Sequence, residues 1–430
     1  MTDEHGSQLD EPTPEAPEAA SGVGRRGFLG YVGTALAGAA VGVGAGVAGA
    51  AAVRDEQQAP DGSTGTGDAT PAATGRTISA HGPHQPGVAS HPPAVAEVVA
   101  LDLRADLLGA HDRGDLGRLL RIWTGDVEAL TAGRGAPGDS APWLSSAGAD
   151  LTVTVGLGPR MLGEAWGIAE PEGFGTVPAM RHDRLRTEWS GGDLLLLVAG
   201  RDGTTVGHAV RRLVADAGPF ATLRWRQQGN WNGVDAQGQA ITGRNLFGQV
   251  DGSGNPPVGS DLFETTVWID QGPWAGGTTM VLRRIRMDLP TWDELTRDEQ
   301  ERAVGRRLSD GAPLTGEVET DELDLTARSE GRYVIAAKAH ARRSHHSTNG
   351  GARIFRKGAN YELPGPDGAE TGLLFMSFQA NLTTQFVPVQ RSVDELDALN
   401  EWTTAIGSAE FAILPGFEEG QWLGQALVEG

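Results

Sequence analysis

Two short apolar runs, residues 151–157 (LTVTVGL) and 193–199 (DLLLLVA), constrain this chain more than any other feature. Each is shorter than a buried helix requires and reads as a strand, and the second is apolar enough to be buried on both faces. The segments around them complete a pattern. Residues 94–103 (AVAEVVALDL) alternate as a strand does, and residues 116–130 carry apolar side chains at helical spacing. Residues 206–217 read as a second helix and residues 221–226 as a further strand. The resulting order, β-α-β-β-α-β, is that of a ferredoxin-like unit.

The order recurs about 180 residues later, with residue 280 standing where residue 94 stood. Residues 280–289 (MVLRRIRMDL) form a strand, a helix follows near residues 292–307, and residues 372–380 (GLLFMSFQA) form another strand. A helix over residues 392–406 and a strand over residues 410–414 close the series. No residue identity accompanies the repeat, so it is one of element order. The reading is an α+β chain of two tandem ferredoxin-like domains, residues 81–245 and 246–430, with helices packed on antiparallel sheets. Between them, residues 228–261 are rich in Gly and Asn and too long for a simple turn, which marks them as a functional segment.

The N-terminus reads as an address. Residues 1–24 are polar and rich in Pro and Ala, and Arg25-Arg26-Gly27-Phe28-Leu29 follows. Residues 27–53 carry no charge and are mostly Gly and Ala, too weakly apolar for a comfortable membrane anchor. Paired arginines before such a stretch match a twin-arginine export signal over residues 1–53, with Ala48-Gly49-Ala50 supplying small residues for cleavage. Residues 54–80 then form a flexible linker. The expected location is outside the cytoplasm: extracellular, periplasmic or in the cell envelope.

Composition narrows the chemistry. The chain has no cysteine, which excludes disulfides, thiolate metal sites, cysteine nucleophiles and covalent haem attachment of the c type. A formal charge of −21 repels phosphate backbones and excludes nucleic acid as a partner. Three segments carry reactive groups. Gly248-Gln249-Val250-Asp251-Gly252 exposes a carboxylate between glycines, within the longer run Asn245 to Pro256. His340, His345 and His346 cluster in Ala339-His340-Ala341-Arg342-Arg343-Ser344-His345-His346, and without cysteine imidazole is the strong neutral ligand left for a redox metal. Arg353-Ile354-Phe355-Arg356-Lys357-Gly358 is a basic run after a Gly-rich loop, expected to face solvent.

In combination and order these segments resemble the dye-decolorising peroxidase family, and within it an exported branch similar to iron-uptake-associated members. The Gly-x-x-Asp-Gly signature stands at Gly248 to Gly252, followed by Asn255-Pro256. His-x-Arg stands at His340-Ala341-Arg342, and Arg356-Lys357-Gly358 takes the place of Arg-Arg-Gly. His84-Gln85-Pro86-Gly87-Val88, Val304-Gly305-Arg306, Asp310-Gly311-Ala312-Pro313-Leu314 and Gly372-Leu373-Leu374-Phe375 also match, so the likeness runs over residues 81–424. The chain departs where His345-His346-Ser347 replaces the usual Asn-Pro-Arg, and the segment between His340 and Arg356 is slightly short. The iron ligand is therefore one of His340, His345 and His346, with His340 at the family's position.

The resemblance implies haem b, bound without covalent links in the C-terminal domain. It implies His340 as the iron ligand, Asp251 as the acid and base that moves peroxide's proton, and Arg356 as the group that stabilises developing charge. Gly252, Ser253 and Gly254 would pass their backbone against the haem edge. His345 and Arg356 would contact the cofactor, and Phe375 and Phe386 would wall the pocket. An Asp in the proton role favours an acidic optimum. The implied partners are hydrogen peroxide and an organic reductant or dye. The alternative is an iron-acquisition protein that releases iron from haem (deferrochelatase-like) with permease components of an iron-uptake complex as partners. A homo-oligomer stays open.

Overall fold

A computed structural model describes residues 75–430 apart from Gly238, Pro366 and Asp367. The export signal and residues 54–74 of the linker lie outside the described residues. The last residues of the expected linker belong to the fold. Asp150 donates from its backbone N–H to the Arg76 carbonyl at 3.0 Å, and Ala80 is buried in the main core.

The first half runs β1 (Val95–Leu103), α1 (Arg113–Thr131), β2 (Thr152–Leu157), β3 (Leu194–Gly200), α2 (Gly203–Ala217) and β4 (Ala221–Asn230). The helices start where acidic side chains satisfy free backbone donors. Asp112 accepts from the Asp115 N–H, and Asp202 accepts from the Thr204 N–H. The second half runs β5 (Thr278–Met287), α3 (Arg297–Val304), β6 (Phe355–Gly365), β7 (Gly368–Gln379), α4 (Val387–Leu396) and β8 (Thr403–Ile413). Spatial order is β4-β1-β3-β2 in the first half and β8-β5-β7-β6 in the second, the same antiparallel ferredoxin-like arrangement twice.

The two four-stranded sheets join edge to edge. β2 pairs with β8 through Leu157 and Ala412, and β4 pairs with β6 through Asn230 and Asn360, so eight strands close into one antiparallel barrel. Closure leaves no open edge among these strands. Gln85 braces the first junction from within. Its buried side chain donates to the Val155 and Leu414 carbonyls at 2.8 Å and accepts from the Val155 N–H at 2.8 Å.

Alternation along the strands divides the core. Val99, Leu101, Leu194 and Leu196 join Leu119, Trp123 and Leu130 of α1 and Val206 and Leu213 of α2. The other face of the same strands, Val98, Ala100, Leu195 and Leu197, meets Met280, Leu282, Leu374, Phe378 and Phe411 from the second half. Both faces of β3 are covered, which is why its sequence is continuously apolar.

Two expectations change. The helix expected over residues 392–406 occupies Val387–Leu396, preceded by a π-helical turn at Leu382–Phe386, and residues 403–406 already belong to β8. Pro388 sits in its first turn, where a missing N–H costs nothing. The basic run expected to face solvent is the start of β6. Phe355, Lys357, Ala359 and Tyr361 are buried on one face of that strand, an alternation hidden by the charges. The Lys357 ammonium donates to the Gly87 carbonyl at 2.7 Å, and burial depresses its pKa to about 7.

Candidate active site

The long segment between the halves folds into a loop that holds Asp251 by its backbone and presents its side chain. Gly248 and Gly252 take positive φ values of 79° and 136°, open to glycine and strained for other residues. The Asp251 N–H donates to the Gly243 carbonyl at 2.9 Å. The loop is then tied to β6. Asn255 accepts from the Arg356 N–H at 3.1 Å and donates to the Arg356 carbonyl at 2.7 Å, completing both backbone groups of that residue. This double bond sets the distance between the Asp251 loop and the Arg356 side chain. Arg356 Nε donates to Asp251 Oδ1 at 3.0 Å, and Asn245 donates to Asp251 Oδ2 at 3.2 Å. Arg356 and Asp251 keep 21% and 13% of their side-chain surface accessible, so both are recessed yet reachable.

His340 begins the helical turn His340–Arg343. Its Nδ1 lies 2.5 Å from Oδ2 of Asp397, a carboxylate with no accessible surface, whose other oxygen accepts from the Leu399 N–H at 2.8 Å. An ionised carboxylate only accepts, so Nδ1 carries the proton and Nε2 is left with a free lone pair. Burial alone would lower the pKa of this imidazole, but the Asp397 charge and hydrogen bond reverse that and hold it above its ordinary value. Asp397 caps the turn that follows α4 and is absent from the sequence-derived set. A helix drawn through residues 392–406 had placed it mid-helix, where a cap is not looked for.

His340, Asp251 and Arg356 line one cavity, which opens to solvent. Phe375 and Phe386 line it too, with Ile285, Met287, Leu373 and Val389 among the other apolar walls. An adjoining recess shares His340 and Arg356 and is lined by Ser253, Gly254, Arg306, His345 and His346. Gly252 lies in the loop beside these walls and lines neither space. Its added Cβ would approach Thr242 to 3.0 Å. His345 is engaged at both ring nitrogens, with Ser347 Oγ at 2.8 Å and Glu322 Oε1 at 2.9 Å. Burial, His345 and Arg353 together hold the His346 imidazole below its ordinary pKa. Of the three histidines, His340 alone borders the larger cavity, and its partner is a fully buried carboxylate.

This cavity fits a flat, largely apolar macrocycle with a metal at its centre. The walls are mainly apolar, His340 offers one neutral nitrogen, and the Ser253 hydroxyl is buried in the adjoining recess without a protein partner. A carboxylate and a guanidinium on the same cavity place a proton acceptor beside a fixed positive charge, a pair suited to heterolytic cleavage of an O–O bond.

Comparison with known proteins identifies the family. Residues 85–230 match the model of the Dyp-type peroxidase N-terminal domain, and residues 242–418 match that of the C-terminal domain. The dye-decolorizing peroxidase of Thermobifida fusca is 37% identical over 98% of this chain and all of its own length. A deferrochelatase of Shigella flexneri is 30% identical over 84% of this chain and 90% of its own. The structure of ferric DtpA from Streptomyces lividans superposes with a TM-score of 0.77 at 36% identity, covering 83% of this chain and 98% of that one. By sequence over nearly its whole length and by fold, the chain belongs to the Dyp-type peroxidase family.

Proposed function

We propose that His340 is the residue that holds haem, through Nε2, and that Asp251 and Arg356 act on peroxide from the same cavity. The chain is a haem-dependent peroxidase that reduces hydrogen peroxide and oxidises dyes or other organic reductants. When bound, haem supplies the iron at which peroxide is reduced and through which the reductant gives up its electrons. Asp251 takes the proton from one peroxide oxygen and returns it to the other, so that the departing oxygen leaves as water. Arg356 opposes the negative charge that grows on the departing oxygen, a term that counts for more in a recessed site than in water. Asn255 and Asn245 keep these two side chains in register, and Asp397 keeps the His340 lone pair aimed at the cavity. The observation that carries the reading is the presence on one cavity of two bonded pairs, Arg356 with Asp251 and His340 with Asp397.

The test is an absorption spectrum of the purified chain followed by rapid mixing with peroxide. A Soret band that changes within the mixing experiment is expected, and His340→Ala should lose the band. Protein that stays free of haem after reconstitution, or a band lost in His345→Ala or His346→Ala instead, would sink the assignment.

The deferrochelatase relative motivates a second reading, iron removal from haem in concert with iron-uptake permease components. Incubation with haem, followed by assay for free iron and for intact porphyrin, separates the two. The reading also has the chain exported by the twin-arginine route, supported by Arg25-Arg26 and the uncharged Gly- and Ala-rich stretch that follows.

A further inference from the structure

We propose that Glu322, His345 and His346 form a binding site for a divalent first-row transition cation, in the recess that adjoins the haem cavity. The inference does not rest on the peroxidase reading. One ligand atom from each of the three residues lies within 4.8 Å of the others. His345 Nε2 and Glu322 Oε1 are 2.9 Å apart. Nitrogen and oxygen ligands about 2.0–2.2 Å from one ion, at roughly a right angle, stand about 3 Å from each other. Those two atoms therefore already hold the spacing of a chelate, and the ion would replace the proton between them.

The histidine pair is braced before any ion arrives. Asn349 donates to the Arg343 and His345 carbonyls at 2.8 Å each, and Thr348 Oγ1 donates to the His345 carbonyl at 3.0 Å. The two rings lie with centroids 4.1 Å apart. When His345 Nε2 gives up its proton to bind an ion, Nδ1 must exchange the Ser347 N–H that it accepts at 3.3 Å for donation to Ser347 Oγ at 2.8 Å. Bracing of this kind lowers the ordering cost of binding.

The donor set selects the class of ion. Two imidazoles and one carboxylate suit zinc, iron(II), nickel and copper(II) better than calcium or magnesium, which prefer oxygen. The Glu322 side chain is 76% exposed, so it can adjust to the ion while water fills the remaining coordination positions. Arg353 lines the same recess and opposes a dication, while Asp321 and Glu322 offset it. His345-His346 stands where the family resemblance leads one to expect Asn-Pro-Arg.

The experiment is calorimetric titration of the haem-loaded chain with zinc(II), repeated on Glu322→Gln, His345→Ala and His346→Ala. Glu322→Gln alters an exposed side chain and keeps its shape, so it guards against a folding artefact. One equivalent should bind to the parent chain, and each variant should weaken binding by about tenfold or more, with haem content unchanged in Glu322→Gln. Absence of binding to the parent, or equal binding by all four proteins, would overturn the site. So would lowered haem content in the histidine variants with zinc binding intact, since the pair would then serve the haem itself.

Discussion

Arg356 and Asp251, 105 positions apart, share a hydrogen bond of 3.0 Å from Nε to Oδ1 on the wall of the cavity that His340 also lines. The bond joins β6 of the second half to the loop that precedes it, and Asn255 keeps the two backbones in register. Neither residue therefore holds its position independently of the other.

That coupling shapes the kinetics. Arg356→Leu should lower the rate of reaction with peroxide by about 10²–10³. Asp251→Asn should lower it by about 10²–10⁴. The double variant should lose far less than the product of the two, because each side chain positions its partner. Stopped-flow rates across pH read all three outcomes, and an unchanged pH profile in Asp251→Asn would remove the proton role from that residue.

Asp397 orients the His340 imidazole, which we propose holds haem. Asp397→Asn keeps the shape but removes the charge, and its amide can donate toward Nδ1 and favour the wrong tautomer. Haem should be lost to a competing acceptor about 10–100-fold more readily, with the iron–histidine vibration shifted, while His340→Ala should retain none. Unaltered transfer and an unaltered vibration would show that His340 needs no such support.

Stability should fall as pH rises through the mildly acidic range. Asp126 is buried on α1, with burial first and neighbouring Asp216 second raising its pKa to about 7, and one carboxyl oxygen has no partner. An acid whose pKa is raised on folding holds more protons in the native state between its unfolded value near 4 and about 7, so stability declines across that window. Asp126→Asn should flatten the decline and stabilise the chain at pH 8 by about 1–3 kcal/mol. Denaturant midpoints at pH 4.5 and pH 8 provide the check.

Lys357 acts in the opposite sense at higher pH. Its ammonium is buried, and its pKa is depressed to about 7 by burial alone. Between about 7 and the unfolded value near 10.4 the unfolded chain binds more protons, so this group makes stability rise with pH. Lys357→Met should remove that rise and cost about 1 kcal/mol at high pH for the lost bond to Gly87. Melting curves of both proteins from pH 7 to pH 10 decide it.

Export is tested by replacing Arg25 and Arg26 with Lys. The haem-loaded chain should then accumulate in the cytoplasm, read by fractionation. Continued appearance outside would mean that a different route carries it.

The sequence alone determined what local periodicity can encode. Strand runs such as residues 193–199 and helical spacing over residues 116–130 announced the doubled ferredoxin-like order, because burial of alternate or successive side chains is written residue by residue. The ordered motifs around Asp251, His340 and Arg356 marked the family. Tertiary structure decided the rest, because those features depend on partners remote in the chain. The two sheets close on each other through Leu157 with Ala412 and Asn230 with Asn360, pairings that no local pattern reveals. Lys357 reads as a solvent-facing charge until β6 takes its place between β4 and β7 and turns that face inward. His340 gains its partner Asp397, 57 positions away, whose buried oxygen meets Nδ1 only after α4 has packed. Periodicity is a property of neighbours along the chain, whereas a hydrogen bond across such a distance exists only once the chain has folded.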